Sequence, residues 1–240
     1  MTKSKGFRQT PPRREPDLAS PVFGGSPEKV DRALDALSVA NRYFGGTRSL
    51  LRELRRLLAW HPGHPIRMLD VGCGRAEQPR ALVEWGRRRG LMIRVVGVDR
   101  DPDVVWHASQ AARAVPEIRI VRADALRLPF PPRSFDYVTA SMLLHYFSWD
   151  QARAVLRSLA ALSSRALLIN DVERHWLPAS VIPVLGRLSR SGLFHPGSRD
   201  TVLRGFAPDE LRRLAAEAGF TRTQVRRHFP FRLTLLVETA

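Results

Sequence analysis

One cysteine, Cys73, stands in 240 residues. It can form no intrachain disulfide and no multi-cysteine metal site, which leaves a reducing, cytoplasmic setting as the default. Lysine is nearly as scarce: Lys3, Lys5 and Lys29 are the only ones among 39 basic residues. No apolar run approaches the roughly 18 residues of a membrane span. Residues 1–27 carry no apolar core of the kind a secretory signal needs. Acids are also few, 23 against the 39, and the net charge is +16. A surplus of that size fits a nucleic-acid partner. The arginines, however, are scattered over every predicted helix. Arg87-Arg88-Arg89, Arg212-Arg213 and Arg226-Arg227 fall at helix ends or on an outer strand. Such scatter predicts a solvated surface instead of one binding stripe.

What is present is a regular alternation. Residues 1–26 are polar, basic and punctuated by proline, and read as a disordered tail. Residues 27–240 read as a single domain, long enough for one well-buried core. In it, 27–60 form two amphipathic helices. Ser26-Pro27 supplies an N-cap and a proline at the first helical position of the first one. Leu34, Leu37 and Phe44 recur at helical spacing before Gly45-Gly46, and Leu50 or Leu51, Leu54, Leu57 and Leu58 make the second stripe. Strands are expected at Ile66–Asp70, Met92–Asp99, Ile118–Ala123, Phe135–Ala140 and Arg165–Ile169. Helices are expected at Glu77–Arg89, at Asp103–Ala114 and after Ser148-Trp149-Asp150-Gln151, a capping box. Apolar strands alternating with helices predict a parallel sheet covered on both faces. Residues 172–205 break the rhythm with a helix at Pro178–Leu188 and a Gly-, Ser- and Arg-rich loop, an insert placed to act as a substrate lid. A helix at Pro208–Ala218 follows. The last strands, Thr223–His228 and Phe231–Glu238, are separated only by Phe229-Pro230, which makes them antiparallel neighbours. The predicted fold is α/β and Rossmann-like: a mostly parallel seven-stranded sheet ending in an antiparallel hairpin, with helices on both faces.

The chemistry starts at Leu69-Asp70-Val71-Gly72-Cys73-Gly74-Arg75-Ala76, where a strand ends on an acid and runs through two glycines into a helix. Gly72 and Gly74 permit positive φ and close approach of a ligand to the backbone. Two further acids close strands, Asp99 and Asp124, at the edge where open α/β sheets bind ligands. Asp99 suits the two hydroxyls of a ribose, and Asp124 suits an adenine amino group. Ala76 departs from the G-x-G-x-x-G of dinucleotide sites, where a helix N-terminus meets a pyrophosphate. An acid ahead of the glycines repels a pyrophosphate and attracts an ammonium. The ligand is therefore an adenosine carrying a cationic amino acid, S-adenosylmethionine.

From about Arg48 to Glu238 the chain resembles the class I S-adenosylmethionine-dependent methyltransferases of small-molecule type. The residues that carry the resemblance are Leu69 to Gly74, Val98-Asp99, Arg122-Ala123-Asp124-Ala125, and Leu128-Pro129-Phe130 leading to Ser134-Phe135-Asp136-Tyr137-Val138. Asn170 to His175 and Arg204-Gly205-Phe206 are similar to a bacterial branch of the same family. The resemblance implies that Asp70, Gly72, Cys73 and Gly74 hold the methionine part, Asp99 and Arg100 the ribose, and Asp124 and Ala125 the adenine. It implies that Ser141 closes the pocket. It also places the fold among the Rossmann-like methyltransferases, with Ala76 where the family has a third glycine.

On the acceptor side His145, after the fourth strand, is the candidate general base, since an imidazole titrates near neutral pH and can take a proton from a hydroxyl. Asp171, Glu173 and His175 after the fifth strand are candidate substrate residues. One histidine and two acids in a loop do not make a diagnostic ligand set, so no metal is expected. Ala140-Ser141-Met142-Leu143 stands where an Asn/Asp-Pro-Pro-Tyr/Phe motif would serve a flipped adenine. The reading is a methyltransferase acting on a small-molecule acceptor, at oxygen. RNA- or ribosome-directed transfer is the alternative, and a non-catalytic S-adenosylmethionine binder the second.

Overall fold

The computed structural model describes residues 10–16, 45–58, 64–180 and 197–239. The predicted helix across 27–44, and Leu188 and Phe194 of the predicted lid, lie outside these residues. Helix α1 (Gly46–Leu57) buries Leu50 and Leu54 completely and turns Arg48, Arg52, Arg55 and Arg56 outward. Then come β1 (Ile66–Val71), α2 (Glu77–Arg87), β2 (Ile93–Asp99), α3 (Pro102–Ala112), β3 (Ile118–Arg122) and β4 (Phe135–Ser141). A 3-10 turn (Leu144–Tyr146) precedes α4 (Trp149–Leu162) and β5 (Ser163–Val172). The chain closes with α5 (Gly197–Arg204), α6 (Pro208–Glu217), β6 (Thr223–His228) and β7 (Arg232–Glu238). Helix starts follow local chemistry. Asp101 accepts from the Asp103 and Val104 amides at α3, and Ser148 and Gln151 form the expected reciprocal cap at α4.

The seven strands lie in the order β3-β2-β1-β4-β5-β7-β6. The first five are parallel, and β7 runs antiparallel to both β5 and β6, as the short Phe229-Pro230 link predicts. The period-two alternation of strand side chains feeds two cores. Ile66 and Met68 of β1 pack with Leu82 of α2 and with Leu50 and Leu54. Leu69 and Val71, on the other face, pack with Leu156 of α4, Leu211 of α6 and Phe206. Strand β5 runs three residues past Ile169 because Asn170, Asp171 and Val172 keep pairing with β7, as far as Val172 with Arg232. Their polarity hides this extension in the sequence.

Part of the expected tail is not free chain. Residues 10–16 have no regular secondary structure, yet they dock beside Phe206. Arg13 sets its guanidinium 4.3 Å over the Phe206 ring and donates to the Arg204 and Phe147 carbonyls. The Arg14 amide donates to Leu203 O, and Arg174 donates to Pro11 O. Composition suggests disorder because it counts polar residues and misses an arginine whose donors are matched to two carbonyls and to the Glu15 carboxylate.

Candidate functional site

Strand order reverses between β1 and β4, which opens a crevice at the carboxyl ends of these strands. The loop after β1 lies there. Gly72 (φ 75°) and Gly74 (φ 53°) both take the left-handed conformation. A Cβ on Gly72 would press on Leu143 Cδ1 at 3.2 Å, whereas one on Gly74 would meet nothing within 4 Å. Gly74 therefore borders open space. The Gly72 and Cys73 amides both donate to Val98 O, at 2.8 and 2.9 Å. The Cys73 thiol fills the place a side chain on Gly97 would need, with its Sγ 3.1 Å from that position. Burial pushes this thiol up, so Cys73 packs the loop onto β2 and is no nucleophile.

Asp70 and Asp99 are both at the crevice, in different states. Asp70 is 1% exposed and accepts from Thr139 Oγ1 at 2.7 Å, its register partner on β4. Burial pushes its carboxyl up to about 7. Asp99 accepts from the Gly74 amide and the Asp101 amide, both at 3.3 Å, and burial raises it too. Two desolvated acids flank the glycine loop, and each is stabilised as an anion by a cation placed beside it. Ser141 Oγ, at the end of β4, is buried without a hydrogen-bond partner, as are both side-chain atoms of Gln78 in the first turn of α2. Buried polar atoms in that state await a partner. The adenine-side residues fare differently. Ala125 is buried, but Asp124 is exposed and accepts from the Leu126 amide at 2.9 Å, capping its own turn. Arg100 points into solvent, and its carbonyl receives Arg122 Nε.

The acceptor side brings together two residues the sequence reading kept apart. Ser141 of β4 and Asn170 of β5 are register partners, so the chain beyond each strand end runs side by side. His145 Nδ1 lies 2.7 Å from Asp171 Oδ1, and the His145 amide donates to Asp171 Oδ2 at 3.1 Å. Both side chains are 1% exposed. Burial alone would raise Asp171. The His145 charge, with hydrogen bonds from the His145 ring, the Val172 amide and the His145 amide, holds it below the usual carboxylate range. A carboxylate only accepts, so Nδ1 carries a proton, and in the neutral ring the lone pair is on Nε2. His145 Nε2 is buried with no partner. The Tyr146 ring stacks on His145 at 4.1 Å between centroids, and burial, with Asp171 adding, pushes its phenol up to about 12. Buried Arg232 stands in the field of Asp171.

The rest of the predicted substrate cluster does not join this pair. Glu173 is buried in an ion pair with Arg227 at 2.8 Å. His175 packs its ring on Phe231 and Trp176 and takes the Leu177 amide. Both were grouped with Asp171 because they follow the fifth strand together, but each has a structural partner on or beside the terminal hairpin. Among the described residues no group of three His, Cys, Asp or Glu side chains is placed to hold a metal ion. Gln78, Thr139, Tyr146 and Arg232 were missed by the sequence reading. Only Tyr146 carried a signal, its place next to His145.

The crevice fits S-adenosylmethionine by its chemistry: paired acids at a glycine loop for a cationic amino acid, and Asp99 at the end of β2 for a ribose. Residues 68–164 match the family described as "Methyltransferase domain". A demethylmenaquinone methyltransferase of Geobacillus stearothermophilus is 31% identical over 122 residues, which cover 47% of this chain and 49% of that protein. The chain thus spans about half the length of that relative. A SAM-dependent methyltransferase structure from Aquifex aeolicus has a TM-score of 0.61 at 15% identity and covers 90% of this chain and 100% of its own. A magnesium protoporphyrin IX methyltransferase from Synechocystis PCC 6803, crystallised with bound SAH, has a TM-score of 0.55 at 18% identity, covering 93% and 91%. These two show the fold. With the domain match over residues 68–164, the strand order and the strand-end acids around the glycine loop, the chain carries a methyltransferase domain on the Rossmann-like fold of the S-adenosylmethionine-dependent methyltransferases.

Proposed function

We propose that the protein transfers a methyl group from S-adenosylmethionine to an oxygen of a small-molecule acceptor, with His145 as general base. The observation that carries this reading is the buried His145–Asp171 pair, with its unpartnered Nε2 at the carboxyl edge of β4. When bound, the cofactor supplies an electrophilic methyl on a sulfonium. Asp70, Gly72 and Gly74 face its methionine part and Asp99 its ribose. Ala125 lines the adenine side, and Asp124 reaches it only by leaving its turn. At the acceptor end, His145 Nε2 takes the proton of the attacking hydroxyl, and Asp171 fixes the tautomer and stabilises the imidazolium. Alignment supplies much of the remaining rate, because the methyl is already activated. The names of the relatives, a demethylmenaquinone methyltransferase and a magnesium protoporphyrin IX methyltransferase, support an acceptor of small-molecule class. Trp176, in the described part of the 172–205 insert, supplies apolar wall for it.

The test is labelled cofactor and a cell extract, fractionated into small molecules, RNA and protein, with wild type and His145→Gln side by side. Label in the small-molecule fraction, reduced about 100-fold or more in the variant at unchanged cofactor affinity, is the expected result. Label in RNA would establish the nucleic-acid reading instead. No label anywhere, with cofactor bound, would make the protein a non-catalytic binder.

A further inference from the structure

We infer that the tip of the terminal hairpin and the outer face of α1 form a docking surface for an anionic lipid bilayer. The tip is Phe229-Pro230, and Phe229 is 93% exposed. A phenyl ring held out this far at a turn has no packing role in the fold. The tip rests on the start of α1: a Cβ on Gly45 would lie 3.3 Å from Phe229 O and 3.8 Å from Pro230 Cδ. From there the outer face of α1 carries Arg48, Arg52, Arg55 and Arg56, all exposed. The helix has a single acid, Glu53, and that one is buried, held by Arg56, Arg226 and His228. Arg48, Arg52 and Arg55 therefore present positive charge with no acid on their own helix to neutralise it. Arg52 also lies in the electrostatic field of His228, one residue from the tip.

An apolar finger beside an arginine face with no exposed acid on its own helix is the pattern of a protein that lies on a membrane surface. The ring enters the boundary of the acyl chains while the arginines meet the anionic headgroups. A second exposed apolar side chain, Leu177, lies two residues from His175, whose ring packs on Phe231 of the same hairpin. Leucine cannot stack on a base but does partition into a bilayer, which favours lipid over single-stranded RNA as the occupant. The surface also adjoins the transfer site. Asn170 Nδ2 donates to Gly46 O at 2.7 Å and Asn170 Oδ1 accepts from Ser49 Oγ at 3.1 Å, which ties α1 to the residue preceding Asp171. A protein docked this way opens its acceptor side next to the bilayer. No helix among the described residues is long and apolar enough to cross it.

The experiment is sedimentation of the full chain with vesicles of phosphatidylcholine alone or with added phosphatidylglycerol, at low and moderate salt. The expected result is binding to the anionic vesicles that weakens with salt. Combined Arg48→Ala, Arg52→Ala and Arg55→Ala should reduce it about 100-fold, roughly fivefold for each arginine. Phe229→Ser should reduce it by roughly tenfold. All four side chains are exposed, so cofactor affinity, measured by calorimetry on the same variants, should stay unchanged. The inference is overturned if the full chain ignores anionic vesicles, or if the arginine and Phe229 variants bind them as wild type does. It is equally overturned if the arginine variant loses affinity for an RNA oligonucleotide and not for vesicles. Vesicle binding reads no methyl transfer, so its outcome is separate from that of the proposed reaction.

Discussion

On the β1–β3 side of the crevice, each group proposed to face the cofactor comes from a short contiguous stretch. An acid ends a strand and a glycine loop or a turn follows, as at Asp70 to Gly74 and at Val98-Asp99. On the β4–β5 side, His145 and Asp171 stand 26 residues apart and meet only because two parallel strands end side by side. The first half is built from backbone conformation, the second from sheet register. The donor half therefore depends on residues that can be judged one at a time, and the acceptor half on a pair that works only together.

Asp171→Asn should break the second half most severely. The amide can donate to Nδ1 and so reverse the tautomer, leaving Nε2 protonated and unable to accept. Turnover should fall on the order of 100-fold or more, while the cofactor dissociation constant stays within about twofold. Single-turnover kinetics with calorimetry separates the two. Equal losses in turnover and cofactor affinity would mean the halves are coupled and the division is wrong.

Asp99→Ala is the matching change on the donor side. It removes a carboxylate that already orients the Gly74 amide. A hydrogen bond to a charged group contributes about 2 kcal/mol, so cofactor affinity should weaken by roughly 30-fold. Turnover at saturating cofactor should change far less. Asp124→Ala, by contrast, should have little effect unless the turn it caps reopens on binding.

Legibility followed the same division. The Gly72 and Gly74 conformations, the Ser148 cap and the closing hairpin are short-range signals, and all are in the structure as read, whereas the polar end of β5 was not. Asp99 was read as the acid that closes the second strand, and β2 does end on it. Asp171 was read as one of three substrate residues after the fifth strand, although register gives it to His145 and its neighbours Glu173 and His175 to the hairpin. Residues 10–16 failed for a related reason. Nothing local to Arg13 says that two segments distant in sequence will offer it two carbonyls and an aromatic face.

The state of Asp70 gives the donor side a pH signature. Its carboxyl is near 3.8 in the unfolded chain and about 7 in the folded one without cofactor, raised by burial. Between those values the folded state holds more protons than the unfolded one. Stability should therefore be greatest below about pH 4 as far as this group is concerned, fall as pH rises through 7, and level off above that. The total is on the order of a few kcal/mol. Asp70→Asn should flatten the slope in thermal unfolding scans. A cation beside the carboxyl requires it ionised, so cofactor affinity should improve as pH rises toward 7, with proton release detectable by calorimetry in buffers of different ionisation enthalpy. Affinity that is flat across that range would remove Asp70 from the methionine end.

The smallest expected effect concerns the residue that departs from the family pattern. Ala76 keeps φ 56°, the left-handed conformation of a glycine, with its side chain fully buried against Cys73 and Ala108. Relief of the left-handed strain in Ala76→Gly should contribute about 1–2 kcal/mol of stability. Loss of one buried methyl costs about 0.8 kcal/mol, and the freer unfolded chain costs roughly 0.5–1 kcal/mol more. These opposing contributions nearly cancel, so the variant should unfold within about 0.5 kcal/mol of wild type and bind cofactor alike. A gain well above that in denaturant unfolding would show the loop to be strained, with the burial of Cys73 and Ala108 holding it in shape. A clear loss would show the methyl contact to be worth more than the backbone conformation costs. Near-equality is what lets alanine stand where the donor loop elsewhere uses glycine, and it confines the chain's departure from the pattern to a position that carries no chemistry.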